Sequence, residues 1–402
     1  MISRPYYLDQ LLTFLDRPVI KILTGIRRSG KSTLLQLLRN ALIEKGIKDD
    51  CILMVNLESF LHMDLTTDRA LYQKVQEFAQ GKPKIYVLLD EIQEVVHWEK
   101  AVNAIQVDFE VDLYLTGSNS NLLSSELATF LAGRYVEIPV YPLNFLESID
   151  FASKRGAEHL PLRDAFFRFL YLGGFPIVHG YDYPKEAAWK LIADIYASAL
   201  LRDTVQRHKI RDVELLERVV KFVFDNVGSL FSAKRVADFF KSQQRRIDLN
   251  TVYTYLNALE SAFLIYRVPR FDVKGRELLK TNEKYFIGDH AMSYALFGQR
   301  DRLISGLLEN IVFLDLKSKG FKVYTGKVGD KEVDFVAERG ADRIYIQVAY
   351  MVDEPSTLER EYASLLEIKD NYPKFLLTLD GDFRDNFQGI EALPVYEFLS
   401  RP

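Results

Sequence analysis

Cysteine is almost missing. Cys51 is the one thiol in 402 residues, which excludes a disulfide scaffold and a cysteine-rich zinc site and fits a reducing cytoplasm. Histidine is scarce as well, and His62, His97, His159, His179, His208 and His290 show no metal-ligand spacing. No stretch approaches the ~18 uninterrupted apolar residues of a membrane span. Arg4 and Asp9 break up the amino terminus before an apolar run can form a signal-peptide core. Repeats of solenoid period and low-complexity tracts are also absent. A cytoplasmic chain with no membrane partner is the expectation.

What is present is core-forming material. Residues are 48% hydrophobic, 13% aromatic and 27% charged, with a formal net charge of −4, too apolar for a disordered chain. At roughly 100–200 residues per domain the length suits two to four domains. Up to about residue 140, short apolar runs alternate with helical patterns: VIKILT at 19–24, CILMVNL at 51–57, IYVLLDE at 85–91, VDLYLTG at 111–117 and YVEIPV at 135–140. Continuous apolar runs mean strands covered on both faces, the mark of a parallel sheet in an α/β layer fold. From about 161 to 265 the patterns turn helical, with Gly173-Gly174 as a helix stop; from about 301 they mix helix and strand. The expected domains are 1–145, 161–290 and 301–402.

Gly25-Ile26-Arg27-Arg28-Ser29-Gly30-Lys31-Ser32, followed by Thr33, matches G-x-x-x-x-G-K-[ST] directly after a strand and before a helical pattern. Glycines let backbone N–H groups curl around phosphate oxygens, and the helix N-terminus adds its dipole. Lys31 supplies charge to the β/γ-phosphates and the Ser32 hydroxyl a ligand for Mg²⁺. Arg27 and Arg28 add positive potential or meet a partner element. Asp90, closing the apolar strand IYVLLD, is a second Mg²⁺ ligand, and Glu91 beside it is placed to polarise an attacking water. Asn56, ending the second strand, is a candidate to restrain Glu91. The extra strand between the lysine loop and this acidic pair resembles the additional-strand P-loop ATPases, including the AAA+ group. That resemblance implies ATP as the nucleotide; no guanine-reading N-K-x-D occurs. It also implies that Ser118 or Asn119 senses the γ-phosphate. Arg134, after the pattern NLLSSELATFLAG, would then be a finger completing a neighbour's site, which makes a homo-oligomer the working unit.

Residues 229–288 hold 11 Lys and Arg against 6 acidic residues, a local excess of +5 that leaves −9 elsewhere. Ser232 and Asn250 are candidate caps for two helices, and a hairpin follows, the order of a winged helix. Val252, Leu256, Leu259 and Phe263 form the apolar face of the second helix. Thr254, Ala258 and Ser261 lie opposite, without the Arg, Lys or Gln that reads bases. Backbone contact to nucleic acid or a protein partner is the expectation. Farther on, Glu309 on a helix, Asp334 in Glu-Val-Asp-Phe and the strand IYIQVAY follow the order of a restriction-endonuclease-like core. Gln347 and Ala349 stand where an active nuclease has an acid and a lysine, so Glu309 and Asp334 read as a vestigial metal site. Lys331, on another strand, is a candidate substitute for the lysine that nothing in the sequence demands.

With these residues and YLGGFP, LLRDTVQRHKI, KYFIGD and GLLENIVFLDL, the whole chain resembles a bacterial and archaeal family. Its members join an AAA-type ATPase domain to a winged helix and a restriction-endonuclease-like domain. The expected protein is an α/β P-loop ATPase with ATP and Mg²⁺ as cofactors, coupling nucleotide state to its later domains. The alternatives are a nucleotide-gated switch with very slow turnover and an ATP-licensed nuclease.

Overall fold

The computed structural model describes residues 2–120, 133–157, 159–244, 247–351, 355–379 and 384–401. It divides into two compact units, Met1–Val140 with Ser261–Phe263 and Tyr141–Glu260 with Leu264–Pro402.

In the first unit the five apolar runs form β1 (Ile20–Thr24), β2 (Ile52–Asn56), β3 (Ile85–Asp90), β4 (Val111–Gly117) and β5 (Tyr135–Pro139). All are parallel, in the order β2-β3-β4-β1-β5. Successive side chains point to opposite faces, and both faces of β1, β3 and β4 are covered, whereas the edge strand β5, expected to be covered too, leaves Glu137 and Pro139 exposed. Leu23, Leu88 and Tyr114 pack with Leu34, Leu35 and Leu38 of the helix Lys31–Glu44. Ile22, Leu89 and Leu115 pack with Leu71 and Val75 of the helix Asp68–Ala79 and with Val102 and Ile105 of the helix Trp98–Asp108. Unbroken apolar strands are the consequence. One detail differs from the order along the chain. The strand that intervenes in sequence between the lysine loop and Asp90 is β2, which lies at the sheet edge; the strand inserted between β1 and β3 in space is β4. The lysine loop, Asp90 and Ser118-Asn119 thus follow the carboxyl ends of β1, β3 and β4, side by side.

The second unit opens with helices Phe145–Lys154, Leu162–Leu172, Lys185–Ser198 and Val213–Asp225. The turn at Gly173 requires glycine: φ is +72° and an added Cβ would lie 2.2 Å from Asp289 Oδ1. Asp289 in turn accepts the N–H groups of Gly174 (2.6 Å) and Ala291 (2.9 Å). Then come β6 (Leu230–Phe231), helices Ala233–Ser242 and Leu249–Ser261, β7 (Ile265–Asp272) and β8 (Glu277–Ile287). The helix Ile304–Ser318 leads to β9 (Lys322–Val328), β10 (Lys331–Arg339), β11 (Asp342–Ala349), β12 (Lys374–Thr378), β13 (Asp385–Phe387) and β14 (Ile390–Pro394). Ser232 caps its helix as expected, accepting from Arg235 N–H at 3.3 Å. At the next helix Asp248 takes the role expected of Asn250, accepting the Asn250 N–H at 2.8 Å.

One nine-stranded sheet, β13-β14-β12-β11-β10-β9-β7-β8-β6, runs through this unit. The junction is the parallel pairing of β7 with β9, Arg270 opposite Thr325 and Asp272 opposite Lys327. The sheet therefore crosses the boundary that composition suggests near residue 300. No helix among the described residues is long and apolar enough to cross a membrane.

Candidate nucleotide site

The loop after β1 is built by two glycines in conformations that other residues avoid. Gly25 has φ +144°, and a Cβ there would come 2.1 Å from the Val140 carbonyl oxygen. Gly30, at φ +102°, turns the chain into the helix Lys31–Glu44. Arg28 also has positive φ and is exposed. Ile26, Ser29 and Lys31 are buried, and Thr33 is exposed. The Lys31 ammonium donates to the carbonyls of Gly25 (2.9 Å) and Ile26 (3.1 Å). Arg4 braces the loop, donating to the Ser29 carbonyl at 3.0 Å. No sequence signal links residues 25 positions apart, so this brace is legible only in three dimensions.

Asp90 is buried at the end of β3 and accepts from Thr116 Oγ1 at 2.6 Å and from the Ser32 hydroxyl. Burial raises its carboxyl above the ordinary range despite those two hydrogen bonds. Thr116 links the acidic pair, because its hydroxyl oxygen also accepts the Glu91 N–H at 2.9 Å. Glu91 itself sits in left-handed backbone, φ +57°, and is 7% exposed. Burial works to raise its carboxyl, yet the Lys31 charge, the Gln93 amide, the Arg27 charge and the Ser118 hydroxyl hold it below the usual range. A carboxylate kept ionised in a buried site retains a proton acceptor at neutral pH.

The restraint expected from Asn56 is made by another residue. Asn56 Oδ1 accepts the Glu58 N–H at 2.9 Å, whereas Gln93 Nε2 donates to Glu91 and, at 3.4 Å, to Ser118 Oγ. The motif reading missed Gln93 because it lies in a one-turn helix past the strand, where spacing carries no signal. Arg27 pairs with Glu58 at 2.9 Å. Ser118 and Asn119 are fully buried beyond β4. Arg134 is exposed at the start of β5, its carbonyl accepting the Ile20 N–H at 2.8 Å. The five residues of β1, about 17 Å at the usual rise, separate its level from the lysine loop, so it is remote from its own chain's Lys31. The segment 121–132, expected as a helix, lies outside the described residues.

The donor set fits a nucleoside triphosphate with Mg²⁺. Among the described residues the buried Ser29 hydroxyl, in a loop shaped by Gly25 and Gly30, has no hydrogen-bond partner. Ser32 and Asp90 already touch, which brings a neutral and an anionic oxygen together for a hard cation.

The other expected sites change in character. In the region 229–288, Arg267 pairs with Glu260 (3.5 Å) and Glu283, Arg270 faces Glu332, Lys274 pairs with Glu367 (3.1 Å), and Lys284 is buried. Four cations of the basic excess are thereby engaged within the chain. Ala258 and Ser261, expected on the solvent face of their helix, are buried, while Tyr253, Thr254 and Asn257 are exposed. Glu309 and Asp334 do come together, but with Lys284 between them, 2.9 and 3.0 Å away. Burial and the Asp334 charge push the Glu309 carboxyl up, while the Lys284 ammonium pulls it down. Lys331, the candidate substitute, pairs with Glu367 at 2.7 Å. A metal does not fit between those two acids while the ammonium is there.

Comparison with known proteins bears on family and fold. Residues 17–149 match the AAA domain family and residues 163–303 a domain family of unknown function. A Walker-type ATPase of Pyrococcus abyssi shares the fold, with a TM-score of 0.52 at 16% identity over 74% of this chain and 96% of that one. An uncharacterised protein of Haemophilus influenzae is 39% identical over 99% of this chain and 98% of its own length. A second, from Methanocaldococcus jannaschii, is 30% identical over 85% of this chain and 77% of its own. The chain therefore belongs to the family of these Haemophilus and Methanocaldococcus proteins, with an AAA domain of P-loop ATPase fold in its amino-terminal part.

Proposed function

We propose that the protein is a Mg²⁺-dependent ATPase whose nucleotide state rearranges the later domains. The observation that carries this reading is the convergence of buried Lys31, Asp90 and Glu91, with Ser32 against Asp90, at the carboxyl ends of β1 and β3, which flank β4. Bound ATP with Mg²⁺ would supply the phosphoryl group and the charge that activates it. The loop N–H groups and the Lys31 ammonium bind the phosphates; for the ammonium this means leaving the Gly25 and Ile26 carbonyls. Ser32 and Asp90 orient the metal. Glu91 accepts a proton from water, and Ser118 or Asn119 senses the γ-phosphate. Arg134, remote from its own loop, acts on a neighbouring copy. The helices from 213 to 261 followed by the β7–β8 hairpin support a winged helix, and the helix Ile304–Ser318 with β9–β12 supports an endonuclease-like core. The partner met through the winged helix is a nucleic-acid backbone or a protein, and the setting is the cytoplasm.

The test is ATP hydrolysis by purified full-length protein. Lys31→Ala should lower kcat/KM about 10²–10³-fold, the usual effect of losing one preorganised charge donor. Glu91→Gln should retain ATP and lose turnover by about 10²–10⁴-fold. Normal hydrolysis by Glu91→Gln would remove the general base from this scheme. The hold of Gln93 on Glu91 favours one second reading, a nucleotide-gated switch with very slow turnover. Tight ATP binding with negligible steady-state hydrolysis is its signature.

A further inference from the structure

In the second unit, β8, β10 and the helix Ile304–Ser318 bring four ionisable groups to one point. Lys284 Nζ lies 2.9 Å from Glu309 Oε2, 2.8 Å from Glu332 Oε1 and 3.0 Å from Asp334 Oδ1. Lys284 is 2% exposed, Glu309 and Asp334 are buried, and Glu332 is half-buried at the rim. The surroundings fix the acids. The second oxygen of Asp334 accepts the Val348 N–H at 2.9 Å, and the Asp334 N–H donates to Gln347 Oε1 at 3.3 Å. The Gln347 amide nitrogen is held by Glu361 at 2.9 Å. Glu309 lies against Gly228, where even a Cβ would stand 3.0 Å from its carboxylate.

An ammonium and a hard divalent cation ask for the same surroundings, several anionic oxygens converging on one point. They differ in distance: about 2.0–2.6 Å for Mg²⁺ and Ca²⁺, about 2.7–2.9 Å for a charged N–H donor. The carboxylates here stand at the longer spacing. Among the described residues no group of three His, Cys, Asp or Glu is disposed to hold a metal ion. A lysine has three N–H donors, and three carboxylates are within reach of them, which leaves none for a phosphate or an attacking water.

We infer that Lys284 is a built-in cation standing in the place of a divalent metal, so that the Glu309, Glu332 and Asp334 cluster is closed to metal and clamps β8 to β10 and the helix. The site is then a structural fastening with no cleavage chemistry of its own. This inference is independent of the ATPase reading, since none of its residues belongs to the nucleotide loop.

Mn²⁺ uptake by nucleotide-free, full-length protein tests it, with free Mn²⁺ counted by electron paramagnetic resonance. The wild type should bind no more Mn²⁺ than Glu332→Gln does. Lys284→Ala should gain one Mn²⁺ per chain, and the gain should vanish in Lys284→Ala/Asp334→Asn. Lys284→Ala should also unfold at a lower temperature than the wild type and recover when Mn²⁺ is added. A Mn²⁺ site present in the wild type and lost from Glu332→Gln overturns the inference, as does a folded Lys284→Ala that gains none. If Lys284→Ala does not fold, the comparison of wild type with Glu332→Gln decides alone. Equal uptake supports the closed site and unequal uptake refutes it.

Discussion

Glu91 shows how much of a site depends on side chains that no motif names. Its identity follows from the spacing after an apolar strand, but its ionisation follows from Lys31, Gln93, Arg27 and Ser118, gathered from three segments of chain. Gln93 is among the groups that lower its carboxyl, so Gln93→Ala should move that carboxyl upward. A proton-accepting Glu91 would then be lost at a higher pH. The acid limb of the kcat profile should shift toward neutrality while KM for ATP changes less than about twofold; an unmoved limb would mean that Gln93 leaves the base alone. Asn56 and Gln93 make the general point. Both are amides within reach of the right segment in sequence, and only the backbone turn after β3 decides which one meets the carboxylate.

The sheet of the first unit carries a second buried charge device, away from the nucleotide. Lys21 on β1 and Asp112 on β4 form an ion pair, each at most 2% exposed, and Asp112 also accepts from Tyr114 O–H and Asp16 N–H, both at 3.0 Å. Burial lowers the Lys21 ammonium while Asp112 supports it. Removing one partner of such a pair strands the other charge. Asp112→Asn should therefore cost about 3–5 kcal/mol of unfolding free energy. The double change Lys21→Met/Asp112→Leu should recover most of that, as read by urea titration; a double variant as weak as the single one would deny the coupling. The pair also bears on strand order, because its residues lie on strands made adjacent by the insertion of β4 beside β1. Sequence patterning specified that these segments are two-face-buried strands. It did not specify which strand adjoins which, since an apolar run carries no record of its neighbour.

At the scale of the molecule, the finger role proposed for Arg134 depends on another copy. It is exposed and remote from its own loop, so equal mixing of Arg134→Ala with Glu91→Gln should restore activity that neither has alone. For freely exchanging dimers the recovery is about a quarter of the wild-type rate; no recovery at any concentration would exclude a finger acting between copies. The second unit shows the same dependence within one chain. Composition separates a basic helical region from a mixed α/β region, but β7 and β9 pair into one sheet, and Lys284 from the first region neutralises acids of the second. What the sequence by itself determined was local: the glycine-shaped loop, Lys31 and Ser32 at a helix start, Asp90 and Glu91 at a strand end, and strands buried on both faces. Those features arise from φ preferences and side-chain periodicity over a few residues. The brace from Arg4, the choice of Gln93, the place of β4 and the filling of the carboxylate cluster were decided only by the tertiary structure. The turn after β3 sets Gln93 against Glu91; the others require charges or edges from distant segments to be desolvated together, and that energy exists only once the chain has folded.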